Sequence, residues 1–127
     1  MTEVTTLLQR EALDVQPVRQ ARVVAALYKR NRLITIAPNL YKSHPLQRKF
    51  GKNEQAIFLH AEVNAIRIAL REVDIEEFPQ LVMYVGRVLK DTNLALAKPC
   101  VGCQKAIESF NIGTVYYTDY SGSLVKL

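Results

Sequence analysis

Apolar and polar positions follow two rhythms along this chain, and each change of rhythm marks an element. From Glu3 to Leu13 the spacing is helical, with Leu7, Leu8 and Ala12 on the buried face and Pro17 beyond the end. Arg22–Tyr28 and Leu33–Ala37 are strand-like runs around the polar tetrad Lys29-Arg30-Asn31-Arg32, which predicts a hairpin. Residues 38 to 57 contain Pro38, Pro45 and Gly51 and show no sustained period. Such a stretch inside a small domain is usually functional or mobile.

His60 to Val73 predicts a helix. Val63, Ile66, Leu70 and Val73 make its apolar stripe, and Asn64, Arg67, Arg71 and Asp74 its polar one. Gln80–Gly86 reads as a strand, residues 87 to 98 as a second long loop, and Cys100–Phe110 as a helix entered through Pro99. Gly113–Thr118 is a further strand, and Ser123–Leu127 the last. Only Asp119 to Gly122 separate those two, whereas a parallel crossover needs about a dozen residues or more, so the pair must run antiparallel. This order predicts an α/β fold, a three-layer α/β/α sandwich around a mixed sheet of about five strands.

The length, 127 residues, suits a single domain spanning residues 1–127, able to bury roughly two thirds of its unfolded surface without disulfides. Hydrophobic residues at 49% and charged residues at 23% exclude disordered and fibrous classes. The longest aliphatic run, Val23 to Leu27, is far shorter than the roughly 20 residues of a membrane span. No basic segment followed by an apolar core opens the sequence, so a cytoplasmic location is expected. Seventeen basic against twelve acidic residues leave a net charge of +5, a modest bias toward anionic partners.

With two cysteines and two histidines in the whole chain, their placement carries the information. His60-Ala61-Glu62 opens one helix and Pro99-Cys100-Val101-Gly102-Cys103 opens another. By helical phase, Glu62 falls in register with Ile66, Ala69 and Val73, which turns a carboxylate toward the core, a costly placement unless it is paired or used. Cys100, Cys103, Ile107 and Phe110 share a face, so both thiols are expected to point inward. Two thiols one turn apart at a helix start, where the helix dipole favours thiolate, suit a tetrahedral metal. His60 adds a nitrogen donor. One imidazole and two thiolates leave the fourth position open, as in a catalytic zinc site, where a bound water becomes a nucleophile near neutral pH. Glu62, two residues from a ligand, is placed to move that water's proton. Competing readings are a thioredoxin-like redox pair of cysteines, a purely structural metal, and a non-catalytic binding module.

The His-x-Glu and Pro-Cys-x-x-Cys pair resembles the cytidine deaminase superfamily of zinc hydrolases. The resemblance covers most of the chain from Arg22 onward, and Lys42-Ser-His-Pro45, His60–Ile66 and Lys98–Cys103 look most like small deaminase-like proteins of phages and other viruses. It implies that His60, Cys100 and Cys103 hold zinc, that Glu62 is the catalytic proton shuttle, and that Asn39 lies near the substrate, for which Ala61 and His44 are further candidate contacts. The implied reaction is hydrolysis at C4 of cytosine, releasing ammonia and leaving uracil. Lys42, His44, Arg48, Lys49 and Lys52 are interleaved with Tyr41, Phe50 and Phe58, which suits a phosphate or a short single strand. The expected substrate is a free cytosine nucleoside or nucleotide: cytidine, deoxycytidine or dCMP. The alternative is deamination of cytosine, and behind it adenosine, in single-stranded DNA or RNA. The resemblance, together with exposed strand edges and helix faces in a small sandwich, also implies a homo-oligomer.

Overall fold

The computed structural model describes residues 2–15, 17, 22–50 and 58–127. Helix α1 (Thr2–Leu13) precedes a hairpin of β1 (Arg22–Lys29) and β2 (Arg32–Pro38). Arg30 and Asn31 at its tip have φ of 51° and 66°, the paired left-handed geometry whose twist matches that of the strands. Then come α2 (Pro45–Phe50), α3 (Ala61–Glu72) and a 3-10 turn over Ile75–Gln80 leading into β3 (Leu81–Val88). The short β4 (Leu94–Ala95), α4 (Val101–Ser109), β5 (Thr114–Thr118) and β6 (Leu124–Lys126) follow.

The described strands form one six-stranded sheet in the order β2-β1-β3-β5-β6, with β4 also paired to β3. β1 is antiparallel to β2 and β3, while β3 and β5 are parallel and joined through α4. β6 is antiparallel to β5, as the short connection requires. The Asp119 carboxylate closes that turn by accepting the main-chain N–H groups of Ser121 and Ser123.

Strand alternation divides the core into two layers. Ala25, Leu27, Met83 and Val85 face α3 and α4, whereas Val24, Ala26 and Val88 face Leu8 and Ala12 of α1. The three-layer sandwich is therefore present as expected. Gly86 lets α1 lie directly on β3, because a Cβ there would come within 2.9 Å of the Leu8 Cβ.

Three local features differ from the sequence reading. The unpatterned stretch 38–57 contains α2, which at six residues is too short to show a period; residues 51–57 lie outside the described ones. The expected loop 87–98 instead begins with the end of β3 and includes β4, so the sheet has one more strand than expected. On α3, Leu70 is 42% exposed although it belongs to the apolar stripe, and Asn64 is 2% exposed although it belongs to the polar one. Residues 61 to 66 are buried all round, because β1, β2, α2 and α4 surround this end of the helix. There a one-sided stripe no longer describes the packing.

Candidate active site

The two motif helices begin side by side at the same end of the sheet. Asn64, one turn into α3, donates from Nδ2 to the carbonyl of Pro38 at 2.8 Å and so pins that helix to the end of β2. Just before α3, Leu59 is bridged to Leu40, with Leu40 N–H on the Leu59 carbonyl at 2.9 Å. His60 is the N-cap of α3, but its imidazole makes no capping bond. It turns instead toward the start of α4.

Cys100 is the N-cap of α4 rather than a residue within the helix, and its sulfur accepts the Cys103 N–H at 3.4 Å. His60 Nδ1 lies 3.2 Å from Cys103 Sγ and 3.6 Å from Cys100 Sγ. The three donor atoms lie within 4.8 Å of one another. Cys103 is fully buried, but Cys100 is exposed, which corrects the expectation that both cysteines face inward. A capping residue sits at the helix mouth, outside the face that continues through Cys103 and Ile107.

Zinc fits this arrangement. Metal bonds of about 2.0–2.1 Å to nitrogen and 2.3 Å to sulfur at a tetrahedral angle place N and S roughly 3.6 Å apart. The two separations lie at and somewhat below that value, both cysteines are free, and the donor set is one zinc prefers. The electrostatics point the same way. The Cys103 thiol donates to the Cys100 sulfur, and His60 and the Cys103 N–H assist, so that Cys100 is pulled down to about 4 against the opposing effect of burial. Cys103 is pushed far up by that same bond, by burial and by Glu62. A dication held by both sulfurs would favour the thiolate form of each.

Glu62 is 5% exposed and stands two residues after His60. Burial holds its carboxyl above the ordinary range and the Cys100 sulfur adds to this, while its own main-chain N–H, His60 and Cys103 pull the other way. A carboxyl so placed holds a proton more readily than an exposed one, as a proton carrier must. Ala61 is fully buried between these two residues. Asn39 is 7% exposed, with Oδ1 accepting the Val23 N–H at 3.0 Å. That bond ties the end of β2 to β1, so any substrate contact by Asn39 must be made alongside it. His44 accepts the Leu46 N–H on Nδ1 at 3.0 Å and so caps α2, a structural task that the sequence did not reveal.

Sequence reasoning missed three polar groups around the site. Gln47, fully buried in α2, accepts the His60 N–H on Oε1 at 3.0 Å. Asn64 accepts from Arg67 on the oxygen of the amide that binds Pro38. Arg87 has a buried Nε with no hydrogen-bond partner and makes no ion pair among the described residues. A signal existed only for Arg87: the two-residue strand period puts it on the face of Met83 and Val85, which packs against α3 and α4.

Among solved structures, the fold matches the crystal structure of the dCMP deaminase from the cyanophage S-TIM5 in its apo form, with a TM-score of 0.61. The match covers 94% of this chain and 85% of that one at 18% sequence identity, and so bears on the fold. No curated protein matches by sequence. The profile of the "Cytidine and deoxycytidylate deaminase zinc-binding region" matches residues 1–119, nearly the whole length, including both motifs whose side chains converge here. By that match the chain belongs to the cytidine and deoxycytidylate deaminase family of zinc enzymes.

Proposed function

We propose that this protein is a hydrolytic deaminase of free cytosine nucleosides or nucleotides (cytidine, deoxycytidine or dCMP), with His60, Cys100 and Cys103 holding zinc and Glu62 moving the proton. The observation that carries this reading is the buried Glu62 carboxyl, drawn toward its protonated form beside a three-donor cluster. A purely structural metal has no use for it, and an apolar residue at that position would avoid the cost of burying it. When bound, zinc supplies Lewis acidity that makes a water molecule nucleophilic at neutral pH.

Glu62 takes a proton as that water attacks C4 and passes it to N3 of the cytosine ring. A second transfer through Glu62 brings a proton to the departing amino group. Water is consumed and ammonia leaves; nothing is oxidised or reduced. His60 and Cys103 are held by buried or half-buried main chain at two helix starts, so the donors are in place before substrate arrives. Arg87, a cation without a carboxylate partner among the described residues and on the site-facing side of β3, supports a substrate that carries a phosphate.

One observation favours the second reading, a single-stranded polynucleotide substrate. Tyr41 is 57% exposed, stands edge-on to Phe58 with ring centroids 5.2 Å apart, and precedes Lys42, whose carbonyl accepts the Leu59 N–H. An exposed ring beside a cation is what a stacked base would use.

Zinc-loaded protein incubated with cytidine, deoxycytidine, their monophosphates and a cytosine-containing oligonucleotide separates the two. Ammonia from the monomers, with only a shallow dependence on salt, is the expected result. Turnover of the oligonucleotide alone, weakening steeply with salt, replaces the first reading by the second. No ammonia from any of them removes both.

A further inference from the structure

The segment from Leu40 to Gln47 holds the peptide that carries His60. Leu40 N–H donates to the Leu59 carbonyl at 2.9 Å, Leu59 N–H to the Lys42 carbonyl at 2.8 Å, and His60 N–H to Gln47 Oε1 at 3.0 Å. The first two bonds are main chain to main chain and available to almost any sequence. The third depends on one side chain.

Gln47 is 0% exposed, in the middle of α2. That helix touches both α3 and α4, and its Phe50 ring lies 6.4 Å from the ring of Phe110 at the end of α4. A buried primary amide is costly unless both its ends are bonded. Here Nε2 finds no acceptor among the described residues. Methionine or leucine would fill comparable space without stranding a donor, so packing does not explain a glutamine at this position. What glutamine adds is an acceptor for the His60 N–H.

Its own helix does not offer that N–H a capping-box side chain. At many helix starts a Glu or Gln three residues after the N-cap folds back onto the cap N–H. In α3 that residue is Val63, which cannot. The imidazole of His60, for its part, faces the sulfurs and not the helix end. Gln47 supplies from α2 the bond that α3 cannot make for itself.

We propose that Gln47 is a positioning residue of the metal site: by fixing the His60 peptide it directs Nδ1 at Cys100 and Cys103. The inference rests on the reading of His60 as a zinc ligand. Its test compares Gln47→Met, which keeps the volume and loses the acceptor, with Phe50→Leu, which loosens α2 and leaves the bond intact.

Zinc dissociation constants from chelator competition and the visible spectrum of the cobalt-loaded protein are the readouts, with thermal melts to follow folding. Gln47→Met should hold zinc roughly 10–100-fold less tightly and shift the cobalt bands. Phe50→Leu should melt earlier with both readouts unchanged. Wild-type affinity and spectrum in Gln47→Met overturn the proposal, as does a Phe50→Leu protein that reproduces both changes. Should Gln47→Met fail to fold, Gln47→Glu retains an oxygen acceptor and should keep the wild-type cobalt bands; their loss also overturns it. A wild-type protein that binds neither zinc nor cobalt defeats the metal-site reading itself, a result distinct from either of these.

Discussion

On the α1 side of the sheet, Leu8, Ala12, Val24, Ala26 and Val88 bury hydrocarbon against hydrocarbon. On the α3 side, a larger apolar cluster surrounds Gln47, Glu62 and Asn64, with exposures of 0%, 5% and 2%. Any apolar set of suitable volume would serve the first side, since such cores tolerate exchange. The second side carries polar groups that add desolvation cost and that packing does not require. One sheet thus has a face built for stability and a face where stability is given up to position chemistry, the pattern expected when a local rule is broken at a functional site. Substitutions on the two faces should therefore separate function from stability in opposite directions.

The largest expected effect is Glu62→Gln. Turnover should fall by about 10²- to 10⁴-fold, the usual contribution of a positioned acid–base group. Zinc content should not change, because every donor remains. The sign for stability follows from the raised carboxyl. A group that prefers its proton when folded favours the folded state at low pH, and that contribution is lost as pH rises above its ordinary value. At pH 7 the glutamine variant of metal-free protein should therefore melt no lower than wild type. Ammonia release near the wild-type rate would remove the functional half of the contrast.

Metal removal comes next. Zinc present at about 1,000 times its dissociation constant contributes about 4 kcal/mol to the folded state. Urea midpoints measured with and without chelator should differ accordingly in wild type and coincide in Cys103→Ala, which lacks a buried donor. A chelator effect of equal size in that variant would mean that the metal is held elsewhere. Leu8→Ala acts on the other face and should cost about 2–5 kcal/mol, the usual range for a fully buried leucine. Zinc content and kcat/KM per folded molecule should stay as they were; a change in either would show that the faces are not independent.

The same contrast explains how much was legible in the sequence. Strands, the two motif helices and the antiparallel end were readable because alternation and helical periodicity persist wherever one face of an element is buried. The candidate metal site was readable because the donor types are rare in this chain and sit at two helix starts. Gln47 and Asn64 were hidden for the converse reason. Both lie where neighbours surround the helix, so a polar residue there looks like surface. His44 was visible as a candidate but its cap on Leu46 was not, because the helix it caps is only six residues long. Arg87 fell in the expected loop 87–98, because a strand that stops at Gly86 ends one residue too soon to put it on the site-facing side.

The smallest expected effect lies away from both layers, at the ion pair between Lys29 at the end of β1 and Glu77 in the turn before β3. The Lys29 ammonium, by hydrogen bond and by charge, holds the Glu77 carboxyl below its ordinary range. A depressed carboxyl contributes stability that is present above its unfolded value and is lost as pH falls through the lower folded one. Glu77→Gln should thus melt slightly below wild type at pH 7, and the gap should close in acid. Because the pair is open to solvent, added salt should shrink the gap at neutral pH as well. Zinc affinity and turnover should not move, since neither group reaches the site. A gap that persisted in strong acid would mean that the Glu77 side chain acts through its packing and not through its charge.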